Sequence, residues 1–252
     1  MVLKVFGRRS VGYYTFIKML LRFLFRKIRA STSRPNNILV IALGRSGTTW
    51  ISNAITDFHH GENLGEILQF RPPMAAKYLS LCSSASLRQT SVMKILSYQL
   101  EESGINISQL SDWFKKDIDL IVTIHRSELE QIASVIYSKK VGLWHRTDTS
   151  DEAPSIRVTK DEFNSQLKWS RLQKKILNSI IDNVSCPIRQ INYEDFDISV
   201  LPSIFDNTLT NGRSRSDMAG VYKRDVKKIN SSGIAGRIDN WEELQTWYQV
   251  DR

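Results

Sequence analysis

The sequence predicts an α/β protein with a parallel β-sheet covered by helices on both faces, preceded by a basic amphipathic N-terminal helix. Short apolar runs alternate with segments of helical periodicity, and the first run breaks into a glycine-rich loop. At 252 residues the chain is long enough to form one full-sized core. We therefore expect an N-terminal arm and linker over residues 1–35 and one domain over residues 36–252.

Four apolar segments have the length of buried strands, namely residues 37–43, 91–96, 119–125 and 188–194. Helical patterns follow the first strand, cover residues 161–182 and close the chain at 240–249. Ser127 and Glu130 form an S-x-x-E capping box, so we expect a helix to begin directly after Arg126. Ligands of such a sheet bind at the carboxyl ends of its strands.

Positive charge is concentrated at the start of the chain. The formal net charge is +9, but ten of the 35 basic residues precede Asp57, the first acidic residue. The rest of the chain carries 25 basic against 26 acidic residues, so it is not a uniformly basic surface and we expect no nucleic-acid partner. The two cysteines are too few for a disulfide framework and form no CxxC pair for zinc.

The N-terminal arm has a basic helical face and a broad apolar arc over residues 11–29. The basic face comprises Lys18, Arg22, Arg26 and Arg29, and the arc comprises Phe16, Ile17, Leu20, Leu21, Phe23, Leu24 and Ile28. This pattern suits a helix lying in the interface of an anionic membrane, and equally a helix packed on its own domain. A type II anchor and a targeting peptide are further alternatives, although Lys18 and Arg22 interrupt any membrane span. We expect a cytoplasmic protein, peripheral at the membrane.

The loop "GRSGTTW", residues 44–50, has the composition of an anion-binding turn. Its two glycines allow close approach of the backbone, and the amides of the next helix point at the ligand. A nucleoside-triphosphate loop would read GxxxxGK[ST], but Ala42 replaces the first glycine and Thr48 replaces the lysine. Arg45 supplies the positive charge instead.

The third predicted strand ends in His125 and Arg126. Enzymes that use magnesium to bind nucleotides commonly have an aspartate at this position, whereas a guanidinium repels Mg²⁺ and attracts a second phosphate. Ser134 lies about two helical turns further on. Glu194 and Asp195 are alternative metal-holding acids, which keep a P-loop kinase using Mg·ATP as a second hypothesis.

Together these residues resemble the 3′-phosphoadenylyl sulfate (PAPS) sulfotransferases over about residues 37–248. In that family the first loop holds the donor's 5′-phosphosulfate, and here it comprises Arg45, Ser46, Gly47, Thr48, Thr49 and Trp50. A later arginine and a serine eight positions on, matched by Arg126 and Ser134, hold the 3′-phosphate. Tyr193, Glu194 and Asp195 match a Tyr-Glu-Asp that is frequent near the family's last strand.

The closer resemblance is to bacterial carbohydrate sulfotransferases of the nodulation-factor and trehalose type. It rests on Gln131-Ile132-Ala133-Ser134, on Gly142-Leu143-Trp144 and on Gly65-Glu66. It implies a P-loop-like sulfotransferase fold, PAPS as the donor, no required metal, and a carbohydrate or glycoconjugate hydroxyl as the acceptor.

The resemblance also implies roles for single residues. Glu66 is the expected general base, with Glu62 and His60 as weaker candidates, and Arg45 is expected to stabilise the charge of the leaving group. Lys94 and Trp144 are candidates for binding the sulfate or the acceptor. The C-terminal Lys-Gly-x-x-Gly-Asp-Trp-Lys loop of cytosolic members is missing, and Lys223 and Arg224 are the nearest basic substitutes. A catalytically inactive, membrane-associated scaffold is a third hypothesis.

Overall fold

The computed structural model describes residues 3–29, 34–69, 72, 74–142, 154–205 and 233–251, with the backbone alone for residues 3–15 and for residue 107. Five strands form one parallel sheet in the order β2-β3-β1-β4-β5. The strands are β1 (Asn36–Ala42), β2 (Glu62–Glu66), β3 (Thr90–Leu96), β4 (Leu120–His125) and β5 (Ile188–Asn192). The predicted α/β class and parallel sheet are confirmed.

Helices cover both faces of this sheet. They are α1 (Leu3–Arg29), α2 (Thr48–Phe58), α3 (Ala75–Ser83), α4 (Ser97–Ser103), α5 (Ile107–Asp117), α6 (Glu128–Val141), α7 (Lys160–Ile181), α8 (Leu201–Phe205) and α9 (Trp241–Val250). Short 3₁₀ turns occupy Ile198–Val200 and Ala235–Arg237.

Alternation along β1 divides the core between the two faces. Ile38 and Val40 pack with Phe58 and the other residues of α2 on one face. Leu39 and Ile41 pack with α3, α5 and α7 on the other. Because successive side chains of a strand point to opposite faces, an uninterrupted apolar run such as β1 requires cover on both sides.

The sequence predicted four of the five strands within two residues at each end, and it missed β2. The segment "ENLGE" has neither an apolar run nor polar–apolar alternation. It forms the edge of the sheet by pairing with β3, and the pairing register shifts between Asn63 and Gly65. Backbone pairing at an edge, rather than burial on two faces, therefore determines this strand.

The last part of α1 packs on the domain. Phe16 and Phe23 are buried, and their ring centroids lie 5.6 and 6.1 Å from that of Tyr78 in α3. Arg26, which was predicted to belong to the basic face, instead pairs with Glu62 of β2 at 2.5 Å. These contacts join the last part of α1 to α3 and to the start of β2. In the described ranges, no helix combines the length and the hydropathy required to cross a lipid bilayer.

His59, directly after α2, is a partly buried titratable group in an apolar setting. Its ring lies 4.9 Å from Phe58 and 4.8 Å from Phe205, and its Nε2 atom has no hydrogen-bond partner among the described residues. Burial, with a smaller contribution from the charge of His60, lowers the pKa of His59 to about 4. The imidazole is therefore neutral in the folded protein near pH 7.

We expect the free energy of unfolding to fall as the pH drops from about 6.5, the ordinary histidine pKa, towards 4. The unfolded chain binds a proton in this range and the folded chain does not, which costs about 3 kcal/mol in all. Urea unfolding at a series of pH values measures the loss. The substitution His59→Gln should reduce this loss of stability, whereas His60→Asn should leave most of it, because burial contributes more than the charge of His60. An unchanged loss in His59→Gln would contradict the assignment.

Candidate active site

The loop between β1 and α2 turns sharply twice before the helix begins. Arg45 and Gly47 have φ values of 64° and 81°, both in the left-handed region. Arg45 is the less expected of the two, because a side chain disfavours this conformation. The turns allow α2 to begin at Thr48, so the unpaired amides of its first turn lie at the carboxyl end of the central strand.

A side chain is also excluded at Gly47 because the ring of Tyr193 packs directly against it. A Cβ atom at position 47 would lie 2.2 Å from this ring. The Tyr193 amide donates to the carbonyl of His125 at 2.8 Å, so the end of β5 holds the ring against the loop. The glycine therefore provides both the turn and the space for an aromatic cover.

Arg45 and Arg126, which we call the arginine pair, come together beside this loop. Arg126 Nη1 donates to the carbonyl of Arg45 at 2.8 Å, and Arg45 Nε donates to Ser134 Oγ at 3.2 Å. The guanidinium of Arg126 lies 4.6 Å from the centroid of the Tyr193 ring and pairs with Glu130 at 3.5 Å. Residues that follow β1, β4 and β5 thus meet residues of α6 in one cluster.

The arginine pair is poorly solvated. The side chain of Arg126 is 6% exposed, and its buried Nε atom has no hydrogen-bond partner among the described residues. Burial, and then the charge of Arg126, lowers the pKa of Arg45. Two adjacent guanidinium groups repel each other, and a bound anion relieves this repulsion while accepting the remaining donor. The cluster therefore has the electrostatics of an anion site.

Helix α6 is tied to the loop by two buried side chains. Ser134 accepts the hydrogen bond from Arg45, and Gln131 Nε2 donates to the carbonyl of Gly44 at 2.8 Å. The sequence indicated Gln131 only as part of a resemblance and gave it no contact. The structure buries Gln131 against the loop.

A second cluster lies on the other side of the loop. Lys94 Nζ is 2.9 Å from Glu66 Oε1 and donates to Thr49 Oγ1 at 3.0 Å. Gln99 Nε2 donates to the second carboxylate oxygen of Glu66 at 3.0 Å. Glu66 and Lys94 are register partners in β2 and β3, and Lys94 is paired with Val40 of β1. The sheet register therefore brings the predicted base and the predicted lysine level with the end of β1.

The two weaker base candidates lie at the opposite end of the sheet. Glu62 is the first residue of β2, where it pairs with Arg26 and accepts from the amide of Leu87 at 2.9 Å. His60 precedes this strand. Glu66 alone of the three contacts residues that reach the loop.

Several loop residues are engaged within the fold. Ser46 was predicted to donate to the ligand, but its buried hydroxyl donates to the carbonyl of Leu43 at 2.7 Å. Thr48 is also buried, at the start of α2. Trp50 packs edge-to-face on Phe196, with 4.8 Å between ring centroids. The exposed Thr49 carries the hydroxyl that reaches Lys94.

The predicted capping box at α6 is wrong. Ser127 is the N-cap residue, but its side chain makes no capping hydrogen bond. Its amide instead donates to Glu194 Oε1 at 2.8 Å, and Glu130 turns to Arg126. A carboxylate from a distant strand end thus replaces the local one. Across the described part of the chain, no three His, Cys, Asp or Glu residues are grouped so that they could hold a metal ion.

Trp144, Lys223 and Arg224 lie outside the described residues. Tyr98 and Trp169 form an aromatic pair near the loop, with ring centroids 6.1 Å apart, which was not predicted from the sequence. Both side chains are half-buried, and Tyr98 Cε1 lies 3.9 Å from the Cβ position of Gly44. The available signal was the position of Tyr98, two residues after the end of β3. Comparison with protein-family models and with curated proteins found no match for this chain.

We expect Gly47→Ala to destabilise the protein more than Gly104→Ala. Both glycines have positive φ values, 81° and 67°, but a Cβ atom at position 104 has no neighbour within 4 Å. The free energy of unfolding of the control should therefore fall only by the cost of placing alanine in a left-handed backbone conformation, about 1 kcal/mol. The free energy of unfolding of Gly47→Ala should fall by a further ~1–3 kcal/mol, because the new methyl group clashes with Tyr193. Urea unfolding measures both, and equal losses would contradict the packing of Tyr193 on the loop.

Proposed function

We propose that this protein is a PAPS-dependent sulfotransferase with the P-loop-like fold of that family. It transfers a sulfuryl group to a hydroxyl of a carbohydrate or glycoconjugate acceptor. The observation that carries the proposal is the meeting of Arg45, Arg126 and Ser134 beside the loop after β1. The resemblance assigns all three to the donor's anionic groups, although Arg45 and Ser134 are 89 residues apart in sequence.

The donor site consists of the loop and the arginine pair. Residues 44–50 would hold the 5′-phosphosulfate with the amides of α2 and the guanidinium of Arg45. Arg126 and Ser134 would hold the 3′-phosphate, and the unpartnered Nε of Arg126 supports a further acceptor there. The positive charges of Arg45, Arg126 and Lys94 take the place of a metal ion, which supports a reaction without Mg²⁺.

In this proposal Glu66 is the general base. Bound PAPS supplies the sulfuryl group, whose S–O bond to the 5′-phosphate breaks as the acceptor oxygen bonds to sulfur. The proton of the acceptor hydroxyl passes to the Glu66 carboxylate, and Arg45 stabilises the negative charge left on the departing phosphate oxygen. The contacts of Lys94 and Gln99 fix both carboxylate oxygens of Glu66, and each oxygen retains a lone pair for the proton.

The aromatic pair supports a carbohydrate acceptor. Tyr98 and Trp169 present half-buried rings beside Gly44, and Gln99, next to Tyr98, donates to Glu66. An aromatic ring presents an apolar face and a polar handle, which suits the mixed faces of a sugar ring. Trp144, the sequence-predicted candidate for this role, is outside the described residues.

We expect adenosine 3′,5′-bisphosphate to bind without magnesium and more tightly than ATP. The substitution Arg126→Ala should weaken bisphosphate binding about 10–100-fold, because charge-assisted hydrogen bonds to the 3′-phosphate are lost. It should weaken the binding of AMP, which has no 3′-phosphate, by a smaller factor, because AMP loses only the support that Arg126 gives to the loop through the carbonyl of Arg45. Isothermal titration calorimetry measures the affinities for the bisphosphate, ATP and AMP.

The matched control is Arg88→Ala, which removes an exposed arginine just before β3, at the other end of the sheet. This variant should bind the bisphosphate normally. Preference for Mg·ATP would favour the kinase hypothesis, and binding of neither nucleotide would favour the inactive scaffold. Equal losses of bisphosphate and AMP in Arg126→Ala would remove Arg126 from the 3′-phosphate site.

We expect Glu66→Gln to lower kcat by about 10²–10⁴-fold, because the amide cannot take the acceptor's proton. Bisphosphate affinity should stay within about twofold, since the donor site lies across the loop. Transfer from radiolabelled PAPS, with the best acceptor of a sugar and glycoside panel, measures turnover. Glu62→Gln is the control on the same strand. Near-normal turnover of Glu66→Gln would exclude Glu66 as the base.

A further inference from the structure

We propose that the exposed face of α1 docks the protein on an anionic membrane surface. This face, the outer strip, comprises Ile17, Leu21, Leu24, Phe25 and Ile28. Their exposed fractions run from 37% for Ile17 to 80% for Ile28. At 3.6 residues per turn the five side chains fall within an arc of about 100°, so they form one continuous apolar surface. The proposal is independent of the reaction that the domain catalyses.

The outer strip is not the face by which α1 packs on the domain. Phe16 and Phe23 are buried against Tyr78, and Arg26 pairs with Glu62 on the same side of the helix. The broad apolar arc seen in the sequence is therefore two faces. Burial on the domain explains Phe16 and Phe23, and it leaves the outer strip without a partner among the described residues.

Basic residues border the outer strip on both sides. Lys18, Arg22 and Arg29 follow one edge, and Lys27 lies beyond the other. All four are exposed, and none forms an ion pair with a described carboxylate. The helix contains no acidic residue from Leu3 to Arg29. An apolar strip with three basic residues along one edge and a single lysine beyond the other fits the headgroup region of an anionic bilayer, where the strip meets acyl chains and the basic residues meet phosphates.

The same charges disfavour a second copy of the chain as the occupant. A symmetric pair of α1 helices would bring two sets of basic residues together with no acidic residue on either helix to compensate them. An anionic membrane supplies the missing negative charge over an extended surface. We therefore commit to the membrane, and not to self-association, as the partner of the outer strip.

Sedimentation of the full-length protein with lipid vesicles tests the proposal. Vesicles of phosphatidylcholine with about 30% phosphatidylglycerol should bind the protein at least tenfold more tightly than vesicles of phosphatidylcholine alone. Salt at about 0.5 M should reduce binding to the anionic vesicles, because it screens the attraction between the basic residues of α1 and the lipid phosphates. Absence of binding to the anionic vesicles would overturn the proposal.

The double substitution Leu21→Ser/Phe25→Ser should weaken vesicle binding at least about tenfold without lowering the Tm, since both side chains point away from the domain. The matched control, Leu172→Ser/Val250→Ser, removes two apolar side chains of α7 and α9 that are 49% and 81% exposed. It should bind vesicles normally. An equal loss in the control would overturn the proposal, because binding would then not depend on the outer strip.

Two further results of the same variant would assign the strip to another occupant. Concentration-dependent dimerisation of the native chain that the outer-strip variant abolishes would assign the strip to a second copy. A drop of several degrees in the variant's Tm would show that another part of this chain covers the strip. Either result would overturn docking on a membrane.

Discussion

Arg126 donates from the end of β4 to the backbone carbonyl of Arg45 in the neighbouring loop, and the other contacts of the arginine pair are arranged around that hydrogen bond. The same guanidinium lies over Tyr193, which in turn occupies the space left by Gly47. It also draws Glu130 away from the start of α6, where Glu194 takes over the cap. A cation this deeply buried is costly unless its charge is compensated, and a doubly anionic ligand is the most direct compensation.

The order of the strands explains why two clusters of opposite chemical character flank one loop. The central strand β1 has β3 on one side and β4 on the other, so the chain leaves it in both directions. Ligands of open α/β sheets bind at such a switch point. β4 contributes the arginine, and β3, with its edge partner β2, contributes the Lys94–Glu66 pair. The proposed donor and acceptor sides are thus consequences of topology.

The sequence was informative where a local pattern determines structure. The uninterrupted apolar run of β1 and the glycines of the loop predicted the strand and turn that the structure contains. Arg126 and Ser134 were singled out from their spacing and resemblance. Their hydrogen bonds with Arg45 depend on the packing of distant segments, so they could not be predicted from the sequence. Tyr98 and Trp169 are 71 positions apart, and no local pattern relates them. The S-x-x-E motif misled because a distant carboxylate competes successfully for the helix amide.

The register shift between Asn63 and Gly65 makes the backbone on one side of the candidate site easier to deform than on the other. Glu66 lies on the edge strand, just after an irregular register, whereas Arg45 and Arg126 follow β1 and β4, strands that are paired on both sides. An edge strand can bend, lengthen or change sequence while the central ladder keeps its register. Substitutions in β2 and the segment after it could therefore reshape the side of the candidate site that holds Glu66, while the side that holds the arginine pair stays the same.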